Sequence, residues 1–300
     1  MELTVCANGE ECVAEDRASA NSAGTAGAEC LIARRPVARG SVSARARARK
    51  LLFLPRVRLA DGAVTGAAAF AATPHQALSA IALGQRPPRR ALREEERDLR
   101  LLLHACQSAA RWRGAYRLSF ALGSVSAPDV DFVLRLREIL VQSGLSPDRL
   151  DLEFQEEGFG QETDELIFTL AALRDVGVGT ILTGFGRGAS SLTLLRDRAL
   201  AGLLSGIKLD RTLFYSAALS GPDVGHCPLD QLDQSFIRAA IGAGRNFDIA
   251  VHAEGVNHVT VADFLRDVGC DEAVGTCFSA PESAERMTAR LERDRHPARH

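Results

Sequence analysis

Four polar residues of this 300-residue chain stand where chemistry could be done: Glu153, Lys208, Asp210 and Glu254. Each lies at or near the end of a short apolar run of strand type, and helix-like segments follow such runs. In a barrel of alternating strands and helices, the C-terminal strand ends face the site. Carboxylates and an amine gathered there could handle protons or hold a cation. They could equally neutralise one another, because a buried carboxylate or lysine costs several kcal/mol unless it is paired. The pattern alone leaves open a reactive cluster and a salt-bridge cluster closing the barrel mouth. Lys208 stands out further, since Lys50 is the only other lysine and every remaining side-chain cation of this type is arginine.

A second stretch, residues 178–192, bears on the same question. A β-type run enters the loop Gly184-Phe185-Gly186-Arg187-Gly188-Ala189-Ser190-Ser191, and Ser190 is a suitable N-cap for a helix after it. Strand–loop–helix junctions of this kind hold phosphates or metals through outward-pointing backbone N–H groups. This loop carries no carboxylate.

The elements that must position these residues follow a regular plan. Residues 51–59 and 64–70 read as two strands joined by Ala60-Asp61-Gly62, a hairpin signal that makes the first pair antiparallel. A helix is predicted over 94–113, with Leu99, Leu102, Leu103 and Cys106 on one face. Strand and helix then alternate: strand 116–122, helix 127–143 with Pro128 in its first turn, strand 149–155, helix 162–176. Next come strand 178–183, a short helix 190–198, strand 203–209, helix 229–246, strand 248–253, helix 259–268, strand 270–274 and helix 281–293. Short connections between alternating elements mean parallel strands and crossover helices. The number of units suits a closed barrel, a modified TIM (β/α)8 fold with an antiparallel first strand.

Residues 1–47 form an Ala/Arg-rich segment without sustained periodicity and are expected to be a disordered tail. The folded domain is assigned to 48–293, with 294–300 as a C-terminal tail. A net charge of -2 argues against a general nucleic-acid binder. No apolar run approaches the roughly 20 residues of a membrane span. An acidic N-terminus is unlike a secretory or transit peptide, so a cytoplasmic location is expected. Seven cysteines without a CxxC pair are expected to be free and mostly buried. His226-Cys227 has no companions for a metal site, and Arg86 to Arg93 reads as a solvated basic segment.

The order of segments resembles the EAL domain, a family of cyclic di-GMP phosphodiesterases and their inactive relatives. Five stretches carry the likeness: Leu152-Glu153-Phe154-Gln155-Glu156, the loop from Gly184 to Leu192, Ile207-Lys208-Leu209-Asp210, Ala253-Glu254-Gly255-Val256, and Gly269-Cys270-Asp271 with Gly275 to Pro281. Active members hold two divalent metals, magnesium or manganese, that activate a water for in-line attack on a phosphodiester. By that resemblance Glu153 is a metal-ligand position, Lys208 the catalytic lysine and Glu254 the glutamate near the attacking water.

The departures from the family pattern are concentrated among the ligands. The first metal-binding glutamate falls on Ala68, the asparagine ligand on Ala121, and the paired aspartates on Thr183 and Gly184. The phosphate-gripping arginine falls on Ala72, a guanine-reading glutamine on Leu54, and another glutamine on Val274. Hard divalent cations want several oxygen ligands. The expectation is therefore no bound metal cofactor, no hydrolysis, and weak or absent cyclic di-GMP binding. Glu153, Lys208, Asp210 and Glu254 then form a vestigial pocket in which Lys208 neutralises the glutamates. Such a protein would work through a protein partner or a second copy of itself. A cyclic di-GMP receptor without hydrolysis and a residual phosphodiesterase are the alternatives. The segment 214–228 exceeds the usual family connection by about ten residues, and long structured loops often bind partners.

Overall fold

A computed structural model describes residues 50–72, 91–122, 129–155, 163–186, 202–214 and 229–295. The Asp-Gly turn builds the first feature of the fold. The Asp61 carboxylate accepts the Ala63 N–H at 3.0 Å, and Gly62 takes φ 72° while donating to the Arg58 carbonyl at 2.9 Å. This reverses β1 (Lys50–Arg58) into β2 (Val64–Ala72), paired antiparallel as expected with Leu54 opposite Ala68.

Six parallel strands complete the sheet: β3 (Arg117–Ala121), β4 (Leu150–Gln155), β5 (Gly179–Phe185), β6 (Gly206–Leu209), β7 (Ala250–Glu254) and β8 (Glu272–Val274). The barrel closes in sequence order, with β1 also antiparallel to β8. Six α-helices are described: α1 (Ala91–Ala110), α2 (Val130–Ser143), α3 (Thr163–Val176), α4 (Gln231–Asn246), α5 (Val259–Val268) and α6 (Ala284–Arg295). This is the modified (β/α)8 barrel that the sequence predicts.

Alternation within each strand divides the side chains between two layers. Leu152 and Phe154 of β4, and Val251 and Ala253 of β7, are buried in the apolar layer. Phe154 meets Phe132 of α2 edge-on at 6.3 Å, and Phe53 of β1 meets Trp112 at 6.0 Å in the same geometry. On α1, Leu99, Leu102 and Cys106 are buried, whereas Leu103 is half-buried.

Several helix boundaries differ from prediction: α1 spans 91–110 rather than 94–113, and the starts of α2 and α4 move for a local cause. The predicted start of α2 at residue 127 moves to Val130 because the Asp129 carboxylate caps it, accepting the Phe132 N–H at 2.7 Å. Pro128 lies outside the described residues. Asp230 does the same for α4, accepting from Asp233 N–H at 2.7 Å. The last helix starts at Ala284 rather than 281 and reaches Arg295, past the predicted boundary at 293. The 1–47 tail, the 190–198 helix, His226-Cys227 and most of the 214–228 segment lie outside the described residues, as do Arg86 to Arg90 of the basic cluster.

Among the described cysteines, Cys106 and Cys270 are buried and free, and Cys277 is half-buried. Burial pushes the Cys106 thiol up to about 12, so it stays protonated. No described helix is long and apolar enough to cross a membrane.

Candidate functional site

Glu153 and Lys208 come together inside the barrel. Glu153 is the fourth residue of β4 and pairs in register with Ala121 of β3 and Ile181 of β5. Lys208, in β6, lies beside Thr183 of β5 and His252 of β7. Their side chains form an ion pair with a hydrogen bond from Lys208 Nζ to Glu153 Oε1, each 5% exposed. Burial pushes the Glu153 carboxyl up, but the adjacent ammonium and its hydrogen bond outweigh this and hold it below the usual carboxylate range.

The other two predicted pocket residues have different surroundings. Asp210 follows β6 and caps a 3-10 turn over Arg211–Leu213; its Oδ1 accepts the Thr212 N–H at 2.8 Å and the Thr212 hydroxyl at 2.6 Å. Its carboxylate thus holds the chain leaving the barrel mouth. Glu254 is half-buried at the end of β7, in register with Val274.

The positions aligned with family ligands are also placed. Ala68 of β2 lies beside Leu54 and Ser119, and Ala121 beside Glu153. The Thr183 hydroxyl donates to the Phe154 carbonyl at 3.2 Å. Gly184 has φ 81°, where the β5–β6 register shifts, so this bulge uses the left-handed backbone that glycine adopts without penalty. Among the described residues, no three His, Cys, Asp or Glu side chains converge as a metal-binding group.

A second charged group lies at the opposite, N-terminal end of the barrel, and sequence reasoning missed it. Arg56 of β1 donates to Asp151 through Nη1 at 2.5 Å, and to Glu272 through Nε at 2.9 Å and Nη2 at 2.5 Å. Arg117 donates to both Asp151 oxygens, through Nε at 2.9 Å and through Nη2. His252 Nδ1 lies 3.2 Å from Glu272 Oε2. Space for this network comes from a missing side chain: a Cβ on Gly206 would sit 2.7 Å from His252 Nε2. The signal was the strand period of two, since Asp151 precedes Glu153, His252 precedes Glu254, and Glu272 precedes Val274 by two residues.

A closed eight-stranded barrel with an antiparallel first strand, carrying a carboxylate–lysine pair inside it, defines the class. The EAL domain family matches residues 39–281, and the chain belongs to that family. It is 31% identical over 198 residues to the bifunctional diguanylate cyclase/cyclic di-GMP phosphodiesterase MucR of Pseudomonas aeruginosa, which covers 66% of this chain and 26% of MucR. Among solved structures, the PaMucR phosphodiesterase in complex with c-di-GMP superposes with a TM-score of 0.65 at 25% identity, covering 81% of this chain and 95% of that one. The BlrP1 protein of Klebsiella pneumoniae, solved with manganese and cy-diGMP, has the same fold with a TM-score of 0.60 at 24% identity, over 78% of this chain and 56% of that one. An uncharacterised signalling protein of Caulobacter vibrioides is 28% identical over 188 residues, 63% of this chain and 22% of its own length. The chain thus spans about a quarter of the length of these curated relatives.

Proposed function

We propose that this chain is a catalytically inactive EAL domain that acts as a regulatory, protein-binding module in signalling. The observation carrying this reading is the ion pair between Glu153 and Lys208. The one acidic residue retained at a family metal-ligand position is already bound to an ammonium group. Ala68, Ala121, Thr183 and Gly184 offer no carboxylate or amide beside it. A hard divalent cation needs about six oxygen ligands, with carboxylates favoured. The described side chains do not fit a pair of such ions. Without that charge, a water at the barrel mouth keeps its ordinary high pKa and is a poor nucleophile at neutral pH.

Ala72 and Leu54, at the arginine and glutamine positions, remove contacts to a nucleotide phosphate and base. The outer surface supports partner binding: Leu134 and Val141 of α2 are 55% and 83% exposed, and Phe168 of α3 is 65% exposed. A second copy of the chain or a different protein would both use such a surface.

Calorimetric titration with cyclic di-GMP, with and without Mg²⁺, tests this reading. No turnover and no metal-dependent binding are expected. Metal-independent micromolar binding would instead make the domain a receptor. Turnover that disappears in Lys208→Ala or Glu254→Ala would establish a residual enzyme and overturn the proposal.

A further inference from the structure

The end of the barrel remote from Glu153 and Lys208 opens into a cavity of about 630 Å³. Five arginines line it: Arg56, Arg58, Arg117, Arg245 and Arg266. Three carboxylates share the wall, and all three already accept hydrogen bonds. Asp151 takes Arg56 and Arg117, and Glu272 takes Arg56 with His252 beside it. Asp271 accepts the Val251 backbone N–H at 2.7 Å.

The rim arginines are answered differently. Arg245 Nη2 donates to the carbonyls of Val268 and Gly269, at 3.4 and 3.1 Å, so neutral oxygens receive these bonds. Arg58 pairs with Asp61, and Arg266 pairs with Asp263 while its Nε donates to the Leu59 carbonyl at 2.9 Å, but the side chains of both ion pairs are about half exposed. Exposed pairs of this kind contribute little and exchange readily with solvent or another anion. The rim therefore presents three guanidinium groups around an open volume, with the inner carboxylates committed to Arg56, Arg117 and the backbone. Guanidinium forks match phosphate oxygens in pairs, and several around one cavity favour an anion of more than one charge.

We infer that this cavity is a binding site for a polyvalent phosphate-type anion, separate from the mouth where the family acts. The shared chemistry is the phosphoryl group, supplied as an inorganic anion or as a small phosphate ester. The inference does not depend on the loss of catalysis proposed above, because the two sites lie at opposite ends of the barrel.

The test is calorimetric titration of the full chain with inorganic pyrophosphate and, in parallel, with ribose 5-phosphate. One-site binding that weakens with added salt is expected. Arg245→Gln and Arg58→Glu should each weaken it by about tenfold or more, the effect of losing one charge-assisted hydrogen bond. Arg58→Glu keeps the test open if Arg245→Gln loosens the junction of α4 and α5, because the Arg58 side chain is 52% exposed. Binding of either compound that is lost in these variants supports the inference, and the tighter ligand identifies the source. No binding of either at about 10 mM, a weak regime for any specific site, overturns it. So does binding that is unchanged in Arg58→Glu, or lost in Glu254→Ala at the other end.

Discussion

Glu153→Gln will lower the stability of the domain by about 3–5 kcal/mol at pH 7, the cost of removing one partner of a buried ion pair. The variant leaves the Lys208 ammonium without its counter-charge in a site where the side chain is 5% exposed. The lysine can escape by losing its proton. At neutral pH an amine lies further from its titration range than a carboxyl does, so this escape costs more than the one open to a lone carboxylate. Lys208→Met is expected to cost less. An unpaired Glu153 escapes by taking up a proton, at about 3.7 kcal/mol at pH 7.

The two variants should also respond oppositely to pH. In Lys208→Met the folded carboxyl titrates above its unfolded value, so the deficit shrinks as pH falls toward 5. In Glu153→Gln the stranded charge is a cation, which high pH removes, so the deficit shrinks as pH rises. Replacing both residues removes both charges and should recover most of the loss. Urea unfolding of the four proteins between pH 5 and 9 measures all of this. Single-variant losses under about 1 kcal/mol, the range of exposed pairs, would mean that water reaches the pair.

Asp151→Asn will be the most damaging change at the other end of the barrel, at about 3 kcal/mol or more. Asp151 is 2% exposed and answers two guanidiniums at once. Its loss leaves Arg56, 4% exposed, with Glu272 alone, and leaves Arg117 turned toward an amide. The wild-type network also predicts a direction for acid unfolding. Burial pushes the Asp151 and Glu272 carboxyls up. Arg117 and Arg56 around Asp151, and His252 and Arg56 around Glu272, outweigh that and hold both below their ordinary values.

Depressed carboxyls stabilise the fold fully above their unfolded values, near 4 to 4.5 for Asp and Glu, and less as pH falls through the folded ones. The unfolded chain takes up these protons first. Stability should therefore be level above about pH 5 and fall steeply below it. In Asp151→Asn the slope below pH 4 should shrink by up to one proton, about 1.4 kcal/mol per pH unit. A slope identical to that of the wild type would show that Asp151 keeps an ordinary affinity for its proton.

Much of this structure was legible in the chain itself. Asp61-Gly62 announced the antiparallel hairpin, and the repeated strand–helix alternation announced the closed barrel. Glu153, Lys208 and Glu254 were found because they sit toward the C-terminal ends of strands, where a barrel carries its site. The same rule hid the second network. Asp151 and His252 lie two residues before Glu153 and Glu254, and Glu272 opens β8, in a layer a barrel fills with packed side chains. Arg56 was masked further by its antiparallel strand, whose C-terminal end lies at the opposite end of the barrel from those of its neighbours. Helix starts failed for a local reason: Pro128 and Leu229 suggested early entry, while the carboxylates of Asp129 and Asp230 capped the backbone a residue or two later. A pairwise hydrogen bond of that kind is visible only once the chain has turned.

The measurement that bears most directly on the proposed loss of catalysis is anomalous scattering from crystals soaked in manganese. The account predicts no ordered pair of ions beside Glu153, with the carboxylate still bound to Lys208. Two well-occupied manganese ions there, with Lys208 displaced, would contradict it.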